Sequence, residues 1–290
     1  MDTNKARLTK DGIRIYEQSD FAGMAKAGAL AAQILDDIAG HVIPGATTAE
    51  LDRLITQWVD EAGAVSATIG YKGYQHASCI SVNHVVCHGI PGAPIPKAAS
   101  ETISKNLEKR RDGDALKEGD IVNIDVTVIV DGWFGDTSRM YVAGRPSKKA
   151  ERLIQVTHDA LMKGIAAAKP GNTFGDIGHA IQMYAESHRM SVVRDFCGHG
   201  LGRVFHAPPN VLHYGRAGTG ALLEEGMIFT IEPMINLGRP DTQVLRDDWT
   251  AVTRDKSLSA QFEHSIGITA EGCEIFTNSP SGRFHPTFSA

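Results

Sequence analysis

Apolar residues recur at helical spacing from residue 17 to 40, at Phe21, Met24, Ala31, Ile34, Leu35 and Ile38, and predict one amphipathic helix. Pro44-Gly45-Ala46-Thr47 breaks it. Thr47 and Glu50 then read as a capping box for a second helix that buries Leu51, Leu54, Ile55, Trp58 and Val59. Gly63 is its expected stop. The same order returns later. Residues 149–168 carry Leu153, Ile154, Leu161 and Ile165 on one face, and Pro170-Gly171-Asn172-Thr173 ends that helix. Thr173 and Asp176 cap the next one, with Ile177, Ile181 and Ala185 inward.

Elsewhere the period is two. Over 121–130, Val122, Ile124, Val126, Val128 and Val130 share one strand face, and Asn123, Asp125 and Thr127 share the other. Asp131-Gly132 is a strong two-residue hairpin turn. That turn sets Val130 opposite Trp133, Asp125 opposite Ser138 and Thr127 opposite Asp136. Asp125 and Asp136 then become diagonal neighbours on one face, roughly 7–8 Å apart at Cα. Glu232 is expected inside a second buried strand, sharing a face with Ile228, Thr230 and Met234. Glu263 precedes an alternating segment that ends at Ile268.

The strands repeat as the helices do. Glu118-Gly119-Asp120-Ile121-Val122-Asn123-Ile124-Asp125 matches Glu225-Gly226-Met227-Ile228-Phe229-Thr230-Ile231-Glu232 at an offset of 107, whereas Gly45 and Gly171 are offset by 126. The difference of 19 residues is surplus length in the first half, and the charged stretch from Lys97 to Asp114 is its expected place. The expected fold is α+β: a single domain over 1–290, built of two similar halves at about 15–145 and 146–280. A pseudo-twofold axis relates them, a central antiparallel sheet is flanked by helices, and a cleft lies between the halves.

Composition adds mainly exclusions. With 29 basic against 34 acidic residues the net charge is −5, which favours no nucleic-acid field. No stretch approaches the roughly 20 apolar residues of a membrane span, and the polar N-terminus has no signal-peptide core. Cys79, Cys87, Cys197 and Cys273 form no CxxC pair, which fits a reduced cytoplasmic compartment.

The chemistry lies in charged residues set among apolar ones. Asp125 sits in IVNIDVTVIV and Glu232 in MIFTIEPMI, where a lone carboxylate is costly unless paired or bound to metal. Asp136, Glu263 and His199 complete the group. For either aspartate alone, a polar sheet surface is also an open reading, as ordinary ion pairing is for either glutamate and a satisfied structural role for His199. Taken together, four carboxylates carry a formal charge of −4, which two divalent ions would cancel. The glycines flanking His199 suggest a backbone that lets a ligand approach closely.

The motifs NIDVTVIVDGWFGDTS, CGHGLGRVFHAPP, FTIEPMI and SLSAQFEH, with these five residues in order, resemble the methionine aminopeptidases of type I and their "pita-bread" metallopeptidase fold. The resemblance runs from about residue 15 to 280. It implies that Asp136 and Glu263 bridge two metal ions, that Asp125 completes one ion's shell, and that His199 and Glu232 complete the other's. Such a donor set suits Co, Mn or Fe and tolerates Zn. By the same resemblance His88 (in VCHGIP) positions the scissile amide, His206 (in FHAPP) hydrogen-bonds its carbonyl oxygen, and Glu232 shuttles a proton from a metal-bridging hydroxide. Tyr71, Tyr74, Cys79, Phe205 and Trp249 would form the methionine pocket. Thr68 departs from a pocket cysteine common in relatives. Asn83, Val85 and Ser259 match a monovalent-cation site. The interval of 33 residues from His199 to Glu232 leaves no room for the helical insertion of type II enzymes. No N-terminal zinc-finger extension is seen, so the pattern is bacterial in type.

The implied activity removes the initiator methionine from nascent chains whose second residue is small, by a cytoplasmic monomer with no membrane partner. Contact of Lys109-Arg110-Arg111 with ribosomal RNA is one reading of the surplus segment; a solvated loop is the other. The rival functions are an Xaa-Pro dipeptidase-like enzyme and an inactive binding module on the same fold.

Overall fold

A computed structural model of the protein describes residues 7–96 and 113–283. The surplus segment, including the Lys109–Arg111 cluster, therefore lies largely outside the described residues. Its expected last two residues lie inside and belong to the fold. Gly113 accepts the Ile95 N–H (3.4 Å), and the Asp114 carboxylate accepts from Thr48 Oγ1 (3.0 Å) and Ala49 N–H (2.8 Å). Asp114 thus caps the helix that begins at Thr48, so an excision that keeps this cap must end before Gly113.

The first half opens with α1 (Phe21–Asp37) and α2 (Thr48–Glu61). The capping box at Thr47 and Glu50 forms in both directions, at 3.0 and 3.1 Å. Leu51, Ile55 and Val59 are buried as expected; Leu54 and Trp58 are only half-buried at the helix edge. These helices pack on a sheet built from β1 (Ser78–Val82), β3 (Asp120–Val130) and β4 (Trp133–Ala143). Between β1 and β3 in sequence runs the short β2 (Val85–Cys87), which joins a different sheet. The β3–β4 hairpin has the expected register, with Val130 opposite Trp133, Thr127 opposite Asp136 and Asp125 opposite Ser138. Asp131 (φ 51°) and Gly132 (φ 77°) both adopt the left-handed region that such a turn requires. The valine face of β3 joins the core under α1 and α2, which leaves Asp125 and Thr127 facing away from it.

The second half repeats the plan with α3 (Lys148–Ala167) and α4 (Phe174–Ser187). They cover a sheet that contains β5 (Gly198–Gly200), β6 (Ala207–Val211), β7 (Ile228–Ile231) and β10 (His264–Ile268), in the order β6-β5-β7-β10. A further sheet pairs β8 (Met234–Asn236) with β9 (Ser259–Gln261).

The backbone carries the repeat in detail. Gly45 and Gly171 have φ of 93° and 87°, and Gly119 and Gly226 have 84° and 90°. Leu116 N–H bonds Ala46 O, and Leu223 N–H bonds Asn172 O, both at 2.8 Å. The halves meet where Ser138 on β4 forms a lone bridge to Glu263, just before β10, with Glu263 N–H on Ser138 O at 3.1 Å. Ser138 and Glu263 hold equivalent places beside the two repeated strands. Three side-chain bonds stitch the same seam: Thr137 Oγ1 to Glu263 O (2.7 Å), Ser265 Oγ to Asp136 O (2.6 Å) and Asn123 Nδ2 to Gln261 O (2.8 Å).

One expected element is split. Ile228 to Met234 is not a continuous strand: β7 stops at Ile231 and β8 starts at Met234 in another sheet. Pro233 cannot donate to a ladder, so the chain changes sheets beside Glu232. Glu232 therefore sits at a strand end rather than on a face shared with Met234.

Candidate metal centre and substrate pocket

The hairpin, the seam and the strand end all deliver acidic side chains to one cleft of about 620 Å³. Asp125, Asp136, His199, Glu232 and Glu263 all line it. Asp136, His199 and Glu263 each offer a ligand atom, and these atoms lie within 4.8 Å of one another. His199 Nε2 is 3.5 Å from Asp136 Oδ2 and 3.8 Å from Glu232 Oε1. Asp136 and Glu263 are each only 3% exposed.

Neighbouring groups orient three of these five side chains. Thr127, opposite Asp136 in the hairpin, donates to its Oδ1 at 2.7 Å. Thr230 Oγ1 donates to Glu232 Oε1 (2.8 Å), and Gln261 Nε2 to Glu232 Oε2 (3.3 Å). His199 Nδ1 lies 3.2 Å from the Gly200 carbonyl. A carbonyl only accepts, so the proton sits on Nδ1 and the Nε2 lone pair faces the acids, as a metal-binding imidazole requires.

The glycines around His199 serve a purpose other than the expected one. A Cβ at Gly198 would lie 2.3 Å from Thr230 O, and one at Gly200 would lie 2.1 Å from Pro208 O. They let the flanking strands β7 and β6 close on β5, rather than a ligand approach the backbone.

The electrostatics call for a cation. Burial pushes the Asp125, Glu232 and Glu263 carboxyls well above their ordinary range, and the Asp136 charge adds to each. Burial raises Asp136 to about 7, against the lowering pull of the Thr127 bond. Burial lowers His199 to about 4. Among the described residues, Asp125 Oδ1 is buried without a hydrogen-bond partner. Acceptor-only oxygens crowded together, one of them orphaned, with an imidazole lone pair beside them, fit a divalent metal centre.

The expected pocket residues line the same cleft. Tyr71 and Phe205 have ring centroids 4.9 Å apart, and so do Tyr74 and Trp249. Cys79 stands opposite Asp125 in the β1–β3 register, and burial raises its thiol, which therefore stays neutral. Thr68 lines the cleft with its hydroxyl committed to the His76 carbonyl at 2.6 Å. His88 (φ 57°) presents its ring edge-on to Phe196 and Trp249, and burial lowers it to about 4. His206 stacks on Tyr71 with its centroid 4.1 Å from that of His199. It is lowered to about 3 by burial first, then by the charges of His199, Lys72 and His88. Both imidazoles are neutral near pH 7 and able to donate.

At the expected cation site, the Asn83 carbonyl accepts Ser259 N–H at 2.9 Å, and β2, which starts at Val85, packs against β9. Ser259 Oγ is buried without a partner among the described residues.

Thr127 and Thr230 are placed beside the acids by their strand faces, but the sequence assigns them no role in the site. Gln261, Phe196 and His213 carry no local signal. Among the described residues, no helix is long and apolar enough to cross a membrane.

A centre of carboxylates and one imidazole, shared between two α+β halves and opening on an aromatic pocket, defines a metal-dependent hydrolase. The model of metallopeptidase family M24 matches residues 22–270, and the chain belongs to that family. A methionine aminopeptidase of Rickettsia prowazekii is 53% identical over 277 residues, covering 95% of this chain and 99% of the relative. The crystal structure of methionine aminopeptidase from Thermotoga maritima superposes with a TM-score of 0.82 at 38% identity, over 91% of this chain and 99% of that one. A prolidase from Pyrococcus horikoshii shares the fold at a TM-score of 0.64 and 19% identity, and this chain spans 63% of it.

Proposed function

We infer that this chain is a type I methionine aminopeptidase that removes the N-terminal methionine from chains whose second residue is small. The convergence of Asp136, His199 and Glu263 within 4.8 Å, in a cleft also lined by Tyr71, Tyr74, Phe205 and Trp249, carries this reading. In it Asp125, Asp136, His199, Glu232 and Glu263 would hold two divalent ions. When bound, such ions supply Lewis acidity and lower a water's pKa toward neutrality.

The chain's own residues do the rest. The aromatic rings and the neutral Cys79 thiol suit a thioether side chain. His88, held between Phe196 and Trp249, orients the scissile amide. His206 donates a hydrogen bond to the carbonyl oxygen as charge builds on it. Glu232, whose proton affinity burial has raised, takes the nucleophile's proton and passes it to the leaving amine. The substrate is the N-terminus of a nascent polypeptide, met in the cytoplasm by a monomer. Asn83, Val85 and Ser259 would hold a monovalent cation beside the contact between β2 and β9.

Metal analysis together with hydrolysis of Met-Ala-Ser and Ala-Pro tests this. Two equivalents of divalent metal and cleavage of Met-Ala-Ser alone are expected. Turnover of Ala-Pro in preference, or full activity after exhaustive chelation, overturns it.

A further inference from the structure

Glu232 occupies the point where the chain leaves one sheet for another. Its peptide follows the last residue of β7 and precedes Pro233, so its N–H belongs to neither ladder. A buried N–H without a partner is costly, and here the partner is a side chain. The Glu232 N–H donates to His213 Nε2 at 3.0 Å. His213 is fully buried, 0% exposed, and lies two residues beyond β6. That strand follows His206 directly and pairs with β5, where Asn210 stands opposite His199.

Three anchors therefore meet on one glutamate. Thr230 holds one carboxylate oxygen, Gln261 the other, and His213 the peptide. The first two act on the side chain's end and the third on its root. Because a peptide N–H can only donate, Nε2 must present its lone pair, which places the imidazole proton on Nδ1, an atom with no hydrogen-bond partner among the described residues. An imidazolium or the opposite tautomer would aim a second donor at the Glu232 N–H. The same imidazole joins the strand end that carries Glu232 to the segment that carries His199 and His206.

We propose that His213 is a positioning residue: as the Nδ1–H tautomer it pins the Glu232 peptide through Nε2 and so sets where the Glu232 carboxylate points within the ligand cluster. This rests on the role assigned to Glu232 above. Partners one step outside a ligand set typically account for roughly 10–100-fold in metal affinity or activity. An apolar residue of similar bulk at 213 would keep the packing and lose the acceptor. Glutamine would restore an acceptor close to the position of Nε2.

The test compares the parent, His213→Gln and His213→Leu, each stripped of metal. Mn2+ affinity is measured by calorimetry, and kcat and KM on Met-Ala-Ser. His213→Leu should weaken the tighter-held Mn2+ by roughly 10–100-fold and lower kcat by a similar factor, with KM unchanged. His213→Gln should recover most of both. Equal losses in the two variants, or none in His213→Leu, would overturn the proposal. Nitrogen NMR of 15N-histidine-labelled parent protein gives a check that needs no folded variant. A lone pair on Nε2 and a proton on Nδ1 of His213 are expected, and the reverse refutes the role. A parent that binds no Mn2+ and leaves Met-Ala-Ser intact would refute the functional reading, and this inference with it.

Discussion

Asp136→Asn should inactivate the protein and, once metal is removed, make it more stable. The perturbation is nearly isosteric. The new amide's oxygen can still accept from Thr127 Oγ1, which now donates to Asp136 at 2.7 Å. What changes is charge. Burial raises the Asp136 carboxyl from 3.8 to about 7. A carboxyl with a raised folded-state pKa contributes stability that is complete below about 4 and lost as pH rises toward 7. At about 1.4 kcal/mol per pKa unit, the metal-free parent loses on the order of 4 kcal/mol by pH 8. Neighbouring carboxyls that share the proton make this a ceiling. The asparagine variant escapes the loss.

The buried histidines that do not touch residue 136, whose lowered pKa values act with the opposite sign, cancel in the comparison. Urea denaturation in chelator at pH 4.5 and pH 8 reads the difference. The variant's gain should be small at the lower pH and several kcal/mol at the higher. Mn2+ should narrow the gap at pH 8, since a ligand at 100 times its Kd stabilises the parent by about 2.7 kcal/mol. A metal-free variant less stable than the parent at pH 8, or a gain equal at both pH values, would refute the reasoning.

Three further outcomes are expected. His206→Ala should lower kcat by roughly 10²–10³ while metal content stays at the parent level, because the donor acts on charge that develops in the transition state; loss of metal would identify it as a ligand instead. Asp114→Ala should cost about 1 kcal/mol in urea denaturation through loss of the cap on α2, with kcat unchanged; an unchanged midpoint would show that the cap contributes nothing. Replacing residues 97–112 with a short Gly-Ser linker, which keeps Gly113 and Asp114, should preserve kcat/KM on a tripeptide and the melting temperature. A collapse of both would place the segment in the core.

The features legible in the sequence were those fixed over a short stretch of chain. Asp131-Gly132 set the register of eleven residue pairs in the β3–β4 hairpin, and with it the approach of Asp136 to Asp125. The capping boxes at Thr47 and Thr173 marked where α2 and α4 begin. What escaped depends on partners distant in sequence. The break at Glu232 follows from β7 and β8 pairing with different sheets, and Pro233 only marks the spot. His213 lies in an unremarkable Val-Leu-His-Tyr run, and its partner is 19 residues away. The glycines beside His199 answer to Thr230 and Pro208 on neighbouring strands, contacts that no local run of sequence encodes.

The seam at Ser138 and Glu263 bears on how the protein matures. In the proposed reading each half supplies an incomplete ligand set: Asp125 and Asp136 come from one, and His199, Glu232 and Glu263 from the other. Until β4 and the Glu263 segment dock, no point in the chain gathers more than two or three of these donors. Metal affinity is therefore a property of the docked pair, and the free energy of metal capture goes into holding the halves together. In that reading the full donor set comes together only after the second half of the chain has folded onto the first, so metal capture would report that both halves are in place.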